Sequence, residues 1–331
     1  MPKSLVTGGA GFIGAHVARR LLDDGHEVLV LDDLSGGRAE NVASSARFVE
    51  GSVVDAALVR RLFREHRFDY VFHLAAYAAE GLSHYIRRFN YTNNLIGSVN
   101  LINESVLNDV RRFVFTSSIA VYGSGELPLR ESQTPRPEDP YGIAKLAVEH
   151  DLAAAHRLFG LEYTIFRPHN VYGEYQNIAD RYRNVVGIFM NQIMSGRPLS
   201  VFGDGLQTRA FTYIGDLVPS IVNSVQLDGA RNEVFNVGGD HVYSVKELAQ
   251  TLLRITRSSS ELRYLPRRDE VTHAYSDHSK VHRVFGPHRA TQLQEGLERM
   301  WNWAKEHGIR ATTKFSDIEV AKNIPSFWTE D

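Results

Sequence analysis

The sequence predicts an α/β fold: a parallel, doubly wound sheet over the first half, followed by a smaller and less regular C-terminal part. Three observations carry this. Short apolar runs alternate with amphipathic stretches as far as Tyr163–Phe166, the pattern of strands joined by crossover helices. The first run, ending in Leu5-Val6, passes into Thr7-Gly8-Gly9-Ala10-Gly11-Phe12-Ile13-Gly14 and then an amphipathic stretch, Ala15–Leu22. The second run, Glu27–Leu31, ends in the acids Asp32 and Asp33.

The glycine pattern gains meaning from that strand–turn–helix setting. Gly8 and Gly9 allow the tight turn, Gly11 lets the backbone approach a pyrophosphate, and Gly14 lets helix and strand pack closely. The helix N-terminus then faces the phosphates. An acid about two dozen residues beyond the first glycine is placed to accept hydrogen bonds from an adenosine ribose, and two carboxylates there repel a 2′-phosphate. NAD is therefore favoured over NADP.

Further strands are expected at Arg47–Val49, Tyr70–Leu74, Phe113–Thr116 and Tyr163–Phe166, with helices such as Ala57–Phe63 and Thr92–Leu107 between them. Ligand should lie beyond the carboxyl ends of these strands, where Ala75-Ala76, Ser117-Ser118 and Arg167-Pro168-His169-Asn170 follow. In the second half, helices are expected at Val185–Ser195, Asp216–Val225, Val245–Thr256 after Ser244 as N-cap, and Gln292–His307. Strands are expected at Thr212–Ile214 and Leu262–Leu265. The tail from Thr312 is expected to be only partly ordered.

A hydrophobic content of 43% and a charged content of 23% are those of an ordinary globular protein. The formal charge of −2 argues against nucleic-acid or anionic-membrane binding. With no cysteine, disulfides and thiolate chemistry are excluded. No run is long enough for a membrane span, and the first strand starts too near Met1 for a signal peptide. A cytoplasmic protein is expected. The histidines do not cluster at ligand spacing, so no metal site is expected.

The stretch Tyr141-Gly142-Ile143-Ala144-Lys145 sets a tyrosine and a lysine on one helix face, one turn apart. Pro140 suits the first helical turn. In such a pair the ammonium can lower the pKa of the phenol and give a tyrosine base near neutral pH. An isolated YxxxK is more often a buried tyrosine with a solvated lysine. The glycine turn makes the chemical reading the stronger one here.

Together, Thr7-Gly8-Gly9-x-Gly11-x-x-Gly14, Thr116-Ser117-Ser118 before Val121-Tyr122-Gly123, and Tyr141-x-x-x-Lys145 resemble the extended short-chain dehydrogenase/reductase superfamily. Within it the chain looks most like the NAD-dependent UDP-hexose 4-epimerases. The resemblance implies a Rossmann-type NAD-binding domain at 1–168 plus about 211–238, and a nucleotide-sugar domain at about 169–210 plus 239–331. It implies a catalytic trio of Ser118, Tyr141 and Lys145, and NAD held by Gly8, Gly11, Phe12, Ile13, Gly14, Asp32, Asp33, Leu34, Ser35, Gly36, Ser52, Val53, Leu74, Ala75, Ala76, Asn93, Ser117, Tyr141, Lys145 and His169. For a UDP-sugar it implies Ser118, Asn170, Asn184, Val201, Phe202, Arg209 and Arg267, to which this chain adds Glu80 and Arg183 as candidate contacts of its own, and it implies a homodimer through the helices around Thr92–Leu107 and Tyr141–Phe159.

Three positions depart from the family pattern. Ser52 stands where an aspartate commonly holds the adenine. Ala78 stands where galactose-type epimerases carry lysine, and Glu80, two residues on, could bind a sugar hydroxyl or pair with Arg87 or Arg88. The stretch Gln176–Asn184 carries Arg181 and Arg183, cations that could meet a uronate carboxylate. After Ser118 stand Ile119 and Ala120 in place of the acid pair of 4,6-dehydratases, which disfavours dehydration; the cysteine of GDP-fucose synthases is absent. The expected activity is C4 epimerisation of UDP-glucuronate or UDP-glucose. Decarboxylation of UDP-glucuronate is the alternative, and a catalytically silent NAD-binding module is the non-enzymatic one.

Overall fold

The first strands are β1 (Lys3–Thr7), β2 (Glu27–Asp32), β3 (Arg47–Glu50), β4 (Tyr70–His73), β5 (Arg112–Thr116) and β6 (Tyr163–Pro168). All are parallel, and with a late strand, Glu233–Val237, they form one seven-stranded sheet. The order is late strand–β6–β5–β4–β1–β2–β3. The chain is a Rossmann-type α/β protein. In this computed structural model residues 1–267, 271–287, 290–308, 315–325 and 328 are described.

The direction of winding reverses between β1 and β4, and it is there that such a sheet opens a crevice at its carboxyl edge. The largely apolar, buried central strands require cover on both faces. Helices α1 (Phe12–Asp23) and, later, Ile214–Asn223 cover one face, through Val17, Leu21, Leu217 and Ile221. The other is covered by α2 (Ala56–His66), by α5 (Gly97–Leu107) and by α6 (Pro140–Phe159), through Phe63, Leu101, Val148 and Leu152. Between α2 and α5 lie two short helices, α3 (Glu80–Ser83) and α4 (Arg87–Tyr91).

The segment expected as one helix over Thr92–Leu107 begins instead with a π-turn, Thr92–Ile96. Its extra residue frees Asn94, whose side chain accepts from the Tyr77 amide at 2.8 Å and donates to the Tyr77 carbonyl at 3.1 Å. Such bulges gather at functional sites; this one turns Asn93 to the cleft wall. Glu233–Val237 is a sheet strand that the alternation of the first half did not single out, because it follows long after the regular units end.

The C-terminal part contains a parallel pair, Leu199–Phe202 with Leu262–Leu265, and a three-stranded sheet centred on Thr208–Ala210. Ser244 caps the helix Val245–Thr256 in a full capping box with Glu247. Helix Leu293–His307 seats Leu297 and Met300 in the main core, with Trp301 and Trp303 against it. No helix among the described residues is long and apolar enough to cross a membrane.

Candidate active site

A cleft of about 1850 Å³ runs along the carboxyl edge of the sheet and is closed on the far side by the C-terminal part. At one end lies the glycine turn. Gly8 has φ +71, and a Cβ there would meet the Ala75 amide nitrogen at 2.7 Å; a Cβ on Gly14 would strike the Gly8 carbonyl at 2.1 Å. Gly9 keeps an ordinary φ and is needed instead because Val30 packs against it. Gly11 caps α1 without a side-chain bond, so the first-turn N–H groups of Phe12 and Ile13 face the cleft. That is an open anion site of the kind a pyrophosphate occupies.

Asp32 is buried and braces this turn, accepting from the Ala10 amide at 3.0 Å and the Leu34 amide at 2.8 Å. Burial raises its pKa, and those amides pull it back. Asp33, exposed beside it, and Ser35 and Gly36 line the cleft wall. Leu34 and Ser52 do not. Leu34 serves the turn through its own amide, and the Ser52 hydroxyl accepts locally from Val54, leaving Gly51 and Val53 at the wall.

Ser118, Tyr141 and Lys145 meet at the middle of the cleft. Asp139 caps α6 through the Gly142 amide at 2.9 Å, with Pro140 in the first turn. The Tyr141 amide donates to the Ser83 hydroxyl at 3.3 Å, and the Asn90 amide donates to the Pro140 carbonyl at 2.8 Å. The catalytic helix is thus tied to α3 and α4. Ser118 ends its strand, its hydroxyl accepting from Ala120, and it bonds the Tyr141 hydroxyl. Lys145 Nζ donates to the Thr116 carbonyl at 2.8 Å and lies 4.6 Å from the Phe115 ring.

One sequence expectation is corrected here. The Tyr141 phenol is not made acidic by Lys145 in this arrangement: burial first, then the Glu80 carboxylate, push its pKa up, while Ser118 and Arg183 act in the other direction. The lysine is turned to the sheet edge, 5.8 Å from the tyrosine ring centre. Its own pKa falls to about 7 because it is desolvated, with Glu149 opposing the fall.

Beneath the trio lies a buried network that sequence reasoning missed. Glu149 accepts from Arg167 through both oxygens, at 3.0 and 2.5 Å, and from the Ser117 hydroxyl at 2.5 Å. Arg167 continues to the Tyr122 hydroxyl at 2.6 Å, which donates to Asn236 at 2.8 Å. This locks β5, β6, α6 and the late strand together at the point where the trio sits. The signal was present: Glu149 lies one turn beyond Lys145 on the same helix face.

His169 lines the cleft, but its side chain is committed elsewhere, to the Ala210 carbonyl at 3.0 Å and to His278 at 3.0 Å. Asn170 and Asn184, at φ 42 and 36, take the left-handed conformation that asparagine tolerates. Both line the cleft and spend their amides on backbone: Asn170 on Ala210 at 3.2 Å, and Asn184 on Val171 and, as helix cap, on Val186. Arg209 donates to the carbonyls of Thr208, Val271 and Thr272, and Arg267 to the Thr272 hydroxyl at 2.8 Å. The two arginines therefore converge on one loop at the end opposite the glycine turn. Val201 is a correction. It is fully buried in the core, and by strand alternation its neighbours Ser200 and Phe202 face the cleft instead.

Glu80 lines the cleft close enough to Tyr141 for its charge to be felt there. Arg183 is paired with Asp180 at 2.6 Å, lies 4.9 Å over the Tyr77 ring and reaches Gly36. In the tail, expected to be only partly ordered, the described residues Phe315, Ile318, Ile324 and Trp328 pack in a cluster with Leu82, Ile86, Tyr85 and Tyr182, and Lys322 and Asn323 reach the cleft. Residues 312–314, 326–327 and 329–331 of the expected tail lie outside the described residues. No periodic spacing in the tail signals this, since Phe315 stands well apart from the Phe327-Trp328 pair.

A Rossmann sheet with an open pyrophosphate turn, a ribose-side acid and a Ser–Tyr–Lys trio defines a nicotinamide-dependent enzyme acting on an alcohol. The model of the NAD dependent epimerase/dehydratase family matches residues 4–238. The UDP-glucose 4-epimerase of Mycolicibacterium smegmatis is 35% identical over 305 residues, which are 90% of this chain and 96% of that one. The solved UDP-glucose 4-epimerase of Thermotoga maritima with UDP-glucose is 36% identical, with a TM-score of 0.88 over 92% of this chain and 99% of that one. The UDP-glucuronic acid 4-epimerase of Bacillus cereus, solved with UDP-glucuronic acid and NAD, is 28% identical with a TM-score of 0.84, over 92% of this chain and 99% of its own. The chain belongs to the UDP-hexose 4-epimerase family of extended short-chain dehydrogenases/reductases. Its cofactor is NAD.

Proposed function

We propose that the protein interconverts C4 epimers of a UDP-hexose, with UDP-glucuronate preferred over UDP-glucose. NAD, when bound, supplies the acceptor and returning donor for the hydrogen at C4. Tyr141, as the phenolate that the positive nicotinamide of bound NAD would favour in this buried site, takes the proton of the sugar 4-hydroxyl and gives it back, and Ser118 holds that oxygen by the hydroxyl it shares with Tyr141. Lys145, fixed on the Thr116 carbonyl, orients the nicotinamide ribose. Asn170, Arg209 and Arg267 bind the UDP diphosphate, a role suited to planar multi-donor cations. The 4-keto sugar turns over between the two transfers, and the space between Glu80, Tyr141 and the 176–184 loop gives it room.

The preference for the acid rests on one observation: Arg183 stands near enough to Tyr141 to act on its ionisation. A cation there also meets a carboxylate at C6 and holds it from the geometry in which a β-keto acid loses CO₂. Purified protein with no added nicotinamide is incubated with UDP-glucuronate and, separately, UDP-glucose, and products are identified by NMR. UDP-galacturonate is expected, formed faster than UDP-galactose. UDP-pentose from the acid would establish decarboxylation instead. Glu80 favours that second reading, since a carboxylate beside the trio can assist loss of CO₂.

The homodimer and the division into 1–168 plus about 211–238 and about 169–210 plus 239–331 belong to the same proposal. The dimer is supported by the exposed apolar side chains of Leu107, Ile143, Leu158 and Phe159 on α5 and α6, with Ile96 just before them. A cytoplasmic site of action belongs to the same proposal.

A further inference from the structure

The described part of the C-terminal tail touches both lips of the cleft. One lip is the segment 77–91, which carries Glu80 and anchors the catalytic helix through Ser83 and Asn90. The other is the loop 176–184 with its two arginines. Trp328 is buried between them, edge-on to Tyr85 at 5.7 Å and to Tyr182 at 5.5 Å, and against Gly81, where a Cβ would lie 3.1 Å from its ring. Phe315 makes a second staple: its ring meets Tyr77 at 5.4 Å and Phe89 at 4.9 Å, and its amide donates to the Tyr182 hydroxyl at 3.2 Å. Between the staples, Glu319 caps α4 by accepting from the Arg88 and Phe89 amides at 2.7 and 2.8 Å. The amides of Glu319 and Val320 both donate to the Tyr85 carbonyl, and the Tyr85 hydroxyl donates to the Asn323 carbonyl at 2.9 Å.

We infer that residues 315–325 and Trp328 form a strap that holds the arginine loop against the 77–91 wall and retains the 4-keto sugar in the cleft while it turns over. The inference rests on the proposed epimerase reading for its second half only. The staples join Tyr182, which lies between Arg181 and Arg183, to the wall bearing Glu80, so the strap also fixes the spacing of the cations from Tyr141. Retention matters because the reaction is self-contained. Bound NAD would hold the hydride removed from C4, and the keto sugar in the cleft is the acceptor that would take it back. A keto sugar that escapes leaves the cofactor reduced, with no oxidant in the cycle to restore it.

The test compares the full-length protein with Trp328→Ala and Phe315→Ala. Without any sugar present, the strap predicts amide hydrogen exchange faster by about tenfold in both 77–91 and 176–184 for Trp328→Ala, which loses one aromatic contact to each lip, and in 77–91 for Phe315→Ala, which loses two there while its backbone amide stays on Tyr182. Exchange that rises only within the tail, or not at all, overturns the strap, whether or not either sugar is a substrate. During turnover of the UDP-hexose, the variants should accumulate absorbance at 340 nm with falling rate, while the full-length protein stays level. Loosened lips with steady turnover and no absorbance change would overturn the retention role. Should Trp328→Ala fail to fold, Trp328→Leu, which removes the ring contacts to both lips and keeps apolar bulk, carries both readouts. If the full-length protein epimerises neither sugar, the functional reading fails, and the exchange result still decides the strap.

Discussion

Tyr141→Phe is expected to lower kcat for C4 epimerisation by about 10²–10⁴-fold, the range associated with removing a positioned acid–base group. The substitution deletes the hydroxyl that bonds Ser118 and nothing else that the fold uses. The ring stays in its buried site between Ser118 and α3. KM and bound NAD should therefore change little, and far-UV CD and the melting temperature should stay close to those of the parent. The size of the loss follows from the electrostatics. Burial and Glu80 hold the phenol above its ordinary pKa, so the phenolate that takes the sugar's proton would depend on the positive charge of the bound nicotinamide, and removing the hydroxyl removes that base outright. A variant retaining a tenth or more of the parent kcat would show that another group carries the proton.

The second large effect is structural. Glu149→Ala leaves Arg167 buried without its carboxylate, and the side chains of both are only 5–6% exposed. Breaking a buried pair by removing one partner costs about 3–5 kcal/mol, which should appear as a clear fall in the denaturation midpoint. Replacing Glu149 and Arg167 together by apolar residues of similar volume should recover much of that loss. The milder Glu149→Gln separates a second consequence. Lys145 is desolvated to a pKa of about 7, and Glu149 is the charge that opposes this fall. Without it the folded pKa drops further, so the lysine is protonated only at lower pH, and the optimum for kcat should move to lower pH. A midpoint within about 1 kcal/mol of the parent for Glu149→Ala, or an unmoved pH profile for Glu149→Gln, would contradict this role.

The legible parts of the molecule were those with local causes. The glycine turn, the acids after β2 and the Tyr141–Lys145 pair are fixed by backbone geometry or by helical spacing over a few residues, and their elements lie within three residues of expectation. Long-range pairings left no such trace. The late strand Glu233–Val237 joins β6 across the chain, Arg167 finds Glu149 from a different element, and the tail returns from beyond residue 308 to the first lip of the cleft. Val201 shows the same limit within a strand, since its register decided which face it shows. The Tyr141 pKa was misjudged because spacing on a helix gives adjacency and not the direction of a lysine side chain; Lys145 bonds the sheet edge.

The central claim is that hydrogen leaves C4 and returns to C4 without reaching solvent. It is tested most directly with UDP-hexose deuterated at C4, the acid or the neutral sugar according to which turns over, followed by NMR or mass spectrometry of the epimeric product. The account predicts that deuterium remains at C4 in product and recovered substrate, and that unlabelled substrate run in D₂O gains none there. Loss of the label to water would mean that the C4 proton is abstracted by a base, and would contradict the roles given to NAD, Tyr141 and Lys145 together.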